Sequence, residues 1–287
     1  MNHEFEILPY DAALGAEVCG IDLARPLSDD VLDGLAAAWA EHLVLVFRGQ
    51  AMDDDALVRF AERFGELDPP GPNPYASEPL HPTHPVLNVI SNIVENDRPV
   101  GNLGDGEAVW HADMTYDLRP PKGAILCAVE LPNEGGNTEF SNMFCAYDAL
   151  PEALRARVEG KIAIHDASHN SAGHLRRGYE EVTDVTQTPG ARHPLVRAVP
   201  GGTRRCLFLG RRPRSYIVGL PVAQSEALLD ALWAHATAPQ FTMTHTWERG
   251  DVVMWDNLAV LHRRDAFDPR TRRKLHRAQL KGTGTIT

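Results

Sequence analysis

Residues 109–116 read VWHADMTY. His111 and Asp113 stand two apart among β-branched and aromatic neighbours. Residues i and i+2 of a strand point to the same side of a sheet, so an imidazole and a carboxylate would be aimed at one point. That arrangement suits a metal ion. His262, in the strand-like run LAVLH, lies about 150 residues downstream, within reach of two packed sheets. Two histidines and one carboxylate on a β scaffold can cap one face of an octahedral iron(II) and leave three positions open. The same three side chains could also hold zinc. In a chain with 13 histidines and 39 acidic residues an H-x-D triplet also arises by chance, so its surroundings must decide.

Downstream of His262, residues 262–277 carry seven Arg or Lys, in a chain whose formal net charge is −11 and whose pI is near 5.6. Overall repulsion argues against nucleic acid as a partner. Most of this basic run is expected to be a solvated face, but it is also where a small anionic ligand would find cations. Read alone, Thr138 after two glycines is a turn residue, Trp255 is core, and Arg273 is one more surface charge. His42, His81, His84, His193, His235 and His245 read as structural or surface residues, and His165, His169 and His174 as polar loop residues.

These groups need elements to hold them. Residues 27–43 predict an amphipathic helix with Ser28 as N-cap and Asp29 and Asp30 in its first turn. A strand follows in VLVFRGQ, then a second helix over 53–67 with Gly65 as its stop. Residues 68–84, rich in Pro, Gly and Asn, predict a loop. AILCAVEL (124–131) is an apolar strand, 146–160 predicts helix, 165–194 an irregular insertion, and 223–236 a helix. Four short strand candidates end the chain: FTMTHTW, DVVMWD, LAVLHR and KLHRAQLKG. That pattern points to an antiparallel sandwich or barrel, and no G-x-G-x-x-G or P-loop suggests a nucleotide site. No apolar run is long enough to span a bilayer, and the first residues lack a signal-peptide pattern. The four separated cysteines, with no C-x-x-C pair, fit reduced thiols in a cytoplasm.

Taken in order, LGAEVCGIDLARPLSDD, LVLVFRGQ, FAERFGEL, VWHADMTY, LPNEGGNTEFSNMFCAYDAL, HPLV and WDNLAVLHR…RRKLHR resemble the landmarks of the TauD/TfdA family of Fe(II)- and 2-oxoglutarate-dependent dioxygenases. The resemblance covers nearly the whole chain. It implies an α+β fold with a double-stranded β-helix (jelly-roll) core of two antiparallel sheets flanked by helices. It implies one domain over 1–287, with irregular active-site loops at about 68–108 and 165–194. His111, Asp113 and His262 match the family's iron ligands. Thr138 and Arg273, the latter eleven residues after His262, match the residues that hold 2-oxoglutarate. Arg277 matches a second arginine near both 2-oxoglutarate and the substrate's anionic group, and Trp255 an aromatic residue beside the iron. A guanidinium suits such a role because it grips a carboxylate through two parallel hydrogen bonds.

The activity so implied is hydroxylation of a substrate C–H bond, with 2-oxoglutarate and O2 as cosubstrates and succinate and CO2 as co-products. The expected substrate is a small organic anion: a carboxylate such as an aryloxyalkanoate, or a sulfonate, contacted by Arg277, Glu107 and Asn92. Glu107 replaces the asparagine of the taurine enzyme, which argues against taurine and leaves an amino acid or amine-bearing metabolite as an alternative. A zinc-dependent β-sandwich hydrolase or a non-catalytic small-acid-binding protein would use the same three ligands, but neither explains Thr138 and Arg273. No nucleic-acid or membrane partner is expected, and family members are commonly homo-oligomers, dimers or tetramers.

Overall fold

The computed structural model describes residues 5–71, 78–104 and 108–287. The strands that build the site are β1 (Glu6–Pro9), β2 (Ala16–Cys19), β3 (Val44–Phe47), β4 (Leu87–Ser91), β5 (Asn102–Leu103), β6 (Ala108–His111), β7 (Gly123–Glu130), β8 (Thr138–Asn142), β9 (Thr242–His245), β10 (Val252–Asp256), β11 (Val260–Arg264) and β12 (Lys274–Leu280). Eight of them form a main sheet in the order β1-β2-β3-β10-β7-β12-β4-β5. Its pairings are antiparallel except β2 with β3 and β4 with β5. A second, wholly antiparallel sheet has the order β9-β8-β11-β6.

Side-chain alternation makes the main sheet a wall between two apolar layers. Val44, Val46, Ala124, Leu126, Val253, Trp255 and Leu275 belong to the layer facing the second sheet. Leu45, Phe47, Ile125, Cys127, Val252, Met254 and Ala278 belong to the layer under the first two helices. Strands buried on both faces read as near-continuous apolar runs, as VLVF and AILCAV do. On β12 the inward residues are then Leu275, Arg277 and Gln279, so a cation is carried on the floor of the space between the sheets.

Helix α1 (Asp29–His42) is capped by Ser28, whose Oγ accepts from Val31 N, and α2 (Asp54–Glu62) by Asp53. α2 stops at Glu62, a turn earlier than the spacing predicts. The helix expected over 146–160 is two short ones, α3 (Met143–Asp148) and α4 (Glu152–Val158). Pro151 between them supplies no N–H and disfavours helical backbone at Leu150. α5 (Val222–Ala236) matches its expected span within one residue.

The expected irregular stretch 68–108 holds more order than its composition suggests. β4 lies inside it, as does a small hairpin of Val94–Glu95 with Arg98–Pro99. The insertion 165–194 is irregular apart from a 3₁₀ turn at Val185–Gln187 and the strand Arg192–Pro194. No helix among the described residues is long and apolar enough to cross a membrane.

Candidate active site

His111 closes β6 and pairs across the second sheet with His262 of β11, bringing their ring centroids to 4.2 Å. The chain then turns through Met114, at φ 49°, and this turn presents Asp113. Asn257 fixes the turn: its Oδ1 accepts from Asp113 N (2.7 Å), and its Nδ2 donates to the carbonyls of Asp113 (2.9 Å) and Pro121 (3.0 Å). His111 Nε2 lies 3.6 Å from one Asp113 oxygen and His262 Nε2 3.9 Å from the other. One donor atom from each of the three residues falls within 4.8 Å of the others.

The protonation states suit a metal. His111 Nδ1 donates to Val109 O (2.7 Å), which leaves the Nε2 lone pair free and directed at Asp113. Burial, then the neighbouring His111, push His262 down to about 3, so it is neutral and can donate a lone pair. Burial opposes a charge on Asp113, but the Arg277 cation beside it outweighs that and holds the carboxyl well below its usual range. Two imidazoles and one carboxylate, with no fourth His, Cys, Asp or Glu in the group among the described residues, fit iron(II) with positions left for small molecules.

Arg277 Nη1 donates to both Asp113 oxygens, at 2.9 and 2.8 Å. Arg273 is different. It is 2% exposed, its Nη2 donates to Gly136 O (3.0 Å), and its Nε has no partner. No carboxylate faces it among the described residues, and burial, with Arg264 nearby, lowers it to about 9. Its neighbour Arg272 points outward to Glu130 and Glu95. Thr138 Oγ1 accepts the Trp247 indole N–H (3.0 Å), so its own hydroxyl proton is free to be donated. Gly136, at φ 65°, is required beside Arg273: a Cβ there would sit 2.8 Å from Arg273 Nε.

Trp255 packs at 5.0 Å from the His262 ring. Asn92, expected at the substrate, instead holds the turn before β12: its Nδ2 donates to Thr271 O (2.8 Å) and its Oδ1 accepts from Arg273 N (2.9 Å). Glu107 lies outside the described residues. Sequence reasoning missed Asn257, Trp247 and Gly136. The only signals for them were the WDN triplet before LAVLH and the double glycine before Thr138.

A second cluster, Asp54, His81 and His276, also places donor atoms within 4.8 Å, on the opposite face of β12 under α2. His81 Nδ1 accepts from His84 N (3.0 Å), so its proton sits on Nε2 and is donated to Asp54 (2.9 Å). That nitrogen has no lone pair to offer, and the cluster is a hydrogen-bonded clamp between α2 and β12.

A family model described as "Taurine catabolism dioxygenase TauD, TfdA family" matches residues 6–279. The chain is 36% identical over 278 residues to an alpha-ketoglutarate-dependent 2,4-dichlorophenoxyacetate dioxygenase of Cupriavidus pinatubonensis, covering 94% of this chain and 95% of that one. It is 34% identical to an (S)-phenoxypropionate/alpha-ketoglutarate-dioxygenase of Delftia acidovorans, covering 98% and 97%. Its fold superimposes on the crystal structure of AAD-2 in complex with Mn(II) and N-oxalylglycine with a TM-score of 0.80, 30% identity and 99% of each chain covered. The paired sheets, the converging His-Asp-His side chains and these matches agree: the chain belongs to the TauD/TfdA family of iron(II)- and 2-oxoglutarate-dependent dioxygenases.

Proposed function

We propose that this enzyme hydroxylates a C–H bond of a small organic anion, an aryloxyalkanoate-type carboxylate by preference, with 2-oxoglutarate as cosubstrate. Relatives named for phenoxyacetate and phenoxypropionate substrates support that class. The observation that carries the cosubstrate assignment is Arg273, a buried cation without an acid. A guanidinium in such a place calls for a carboxylate ligand.

In this reading His111, Asp113 and His262 hold iron(II). Bound there with 2-oxoglutarate and O2, it supplies the oxidising power, and succinate and CO2 leave as co-products. Arg273 and the Thr138 hydroxyl grip the distal carboxylate of 2-oxoglutarate. Asn92 and Gly136 set the position of Arg273, and Trp247 turns the Thr138 proton toward the ligand. Asn257 holds the Asp113 turn, and Arg277 keeps that carboxylate charged. Trp255 and the apolar layer around it exclude water. The four free cysteines support a reducing cytoplasm as the enzyme's compartment.

The test is anaerobic titration of metal-free protein with Fe(II) and 2-oxoglutarate. The weak visible absorption of the iron–2-oxoglutarate chelate is expected only with both present, and not in His111→Ala. Folded wild-type protein that gives no band would reject the assignment.

A further inference from the structure

Arg277, the cation expected to read the substrate's anion, is engaged with Asp113 through Nη1. Another cation stands nearby. Arg176, in the irregular insertion, stacks its guanidinium 3.9 Å above the ring of Tyr116, three residues beyond Asp113. The platform under it is built in. Tyr116 O accepts from Ala191 N (2.9 Å), and His193 Nε2 donates to the carbonyls of Thr115 (2.9 Å) and Asp117 (3.0 Å). The insertion is also tied to the strand that carries His111, where Val109 N donates to Ser171 O (3.2 Å), and within the insertion Arg176 N donates to Ser168 O (2.7 Å).

Arg176 makes no ion pair among the described residues; it bonds the Tyr116 side chain and acts on the Asp117 carboxyl only from a distance. Arg211, whose backbone pairs with that of His111, is held by Asp166 (2.7 Å) and the carbonyl of Asn170. Arg214 pairs with Glu181. Asp117 and Asp68 lie on the same side, and burial, then Asp68, raise the Asp117 carboxyl above its usual value. Neither forms an ion pair with Arg176 among the described residues. A guanidinium held over a ring and bonded once to it still carries further N–H donors, and these can match a carboxylate or sulfate bidentately.

We infer that Arg176, stacked on Tyr116, is the residue of this chain that reads the anionic group of the substrate. The inference rests on the dioxygenase reading and deepens it. It assigns specificity to the insertion, and the Tyr116 ring offers an aromatic substrate a face to pack against.

The experiment uses the full chain loaded with Mn(II) and N-oxalylglycine, an oxygen-stable stand-in for iron and 2-oxoglutarate. Wild type, Arg176→Gln and Arg176→Lys are titrated with 2,4-dichlorophenoxyacetate, hexyl sulfate and uncharged 2-phenoxyethanol. Binding is read by calorimetry and by Mn(II)-induced water-proton relaxation. At least one anion is expected to bind wild type. Arg176→Gln should weaken it by about tenfold or more, Arg176→Lys by less, with N-oxalylglycine affinity unchanged and phenoxyethanol indifferent. Equal anion affinity in wild type and Arg176→Gln overturns the inference. So does a parallel loss of N-oxalylglycine affinity, or a wild type that binds N-oxalylglycine and none of the anions. Failure to bind Mn(II) and N-oxalylglycine at all would instead refute the dioxygenase reading beneath it.

Discussion

Replacing Arg273 by methionine should make the ligand-free protein more stable while crippling its hold on 2-oxoglutarate. The fall from the usual guanidinium range to about 9 means that the fold disfavours the charge by about 5 kcal/mol. The sign is that of a base with a depressed folded value: the cost is full below about 9 and fades only as pH rises from there toward the unfolded guanidinium range, so pH cannot relieve it near neutrality. Methionine keeps the unbranched stem of the side chain and removes the charge. It also strands the Gly136 carbonyl, which Arg273 Nη2 now satisfies, at a cost of about 1–3 kcal/mol. A net gain of about 2–4 kcal/mol remains, worth a rise of about 4–8 °C in melting temperature for a chain of this size.

Ligand linkage supplies the other half of the experiment. With Mn(II) present and N-oxalylglycine at a hundred times its dissociation constant, wild type should gain about 2.7 kcal/mol. Loss of a bidentate charged contact lowers affinity by about tenfold to a hundredfold. The variant's gain at that concentration then falls to between about 1.4 and 0.4 kcal/mol. Differential scanning calorimetry of both proteins, with and without ligand, measures the two effects together. Arg272→Met is the control, because Arg272 is exposed and paired with Glu130 and Glu95. A ligand-free Arg273→Met that melts at or below wild type would refute the uncompensated-charge argument. An undiminished ligand shift would refute the carboxylate-holding role.

Three further outcomes follow from the same geometry. Asp113→Asn should lower Mn(II) affinity by at least about tenfold, as read by equilibrium dialysis; retained binding would refute Asp113 as a ligand. Gly136→Ala, at φ 65° and with its Cβ 2.8 Å from Arg273 Nε, should destabilise the fold by about 1–2 kcal/mol and weaken N-oxalylglycine binding, measured by calorimetry, while leaving metal affinity unchanged. His165 is buried with both ring nitrogens unpartnered and, by burial and then His193, is lowered to about 3. Its contribution is complete above the unfolded value of 6.5 and is lost as pH falls from there toward 3, reaching about 2 kcal/mol at pH 5. Melting temperature should therefore drop between pH 7 and pH 5, and less steeply in His165→Phe; parallel curves for the two proteins would reject this.

The sequence made the candidate metal-ligand cluster legible because strand periodicity and an ordered set of landmarks point to the same residues. His111 at the end of one strand, with Asp113 in the turn that follows it, and LAVLH on another leave little freedom once two sheets must pack. The helix misread over 146–160 had its breaker in plain view at Pro151, and an apolar period running across it hid the break. Strand β4 was hidden differently: it lies between loop-rich segments, and its polar Asn88 and Ser91 interrupt the run. Residues that act through backbone atoms were the hardest to see. Asn257 and Asn92 do their work on carbonyls and amides of turns far away in sequence, which no local pattern records.

The arginines show where sequence spacing stops and three-dimensional burial takes over. By spacing, Arg270, Arg272, Arg273 and Arg277 are four members of one basic run. In the fold Arg270 pairs with Asp268 in solvent, Arg272 with Glu130 and Glu95, and Arg277 with Asp113. Arg273 alone among these four is buried without an acid. A fold bears that cost only where something else returns it, and a dicarboxylate bound between Arg273 and the metal is the ligand that these charges fit. The insertion repeats the pattern at the other end of the site, where Arg211 and Arg214 have their acids and Arg176 has an aromatic ring instead. Under the proposed reading, two cations without an acid partner among the described residues, one buried beside Thr138 and one over the Tyr116 ring, would divide the labour between cosubstrate and substrate.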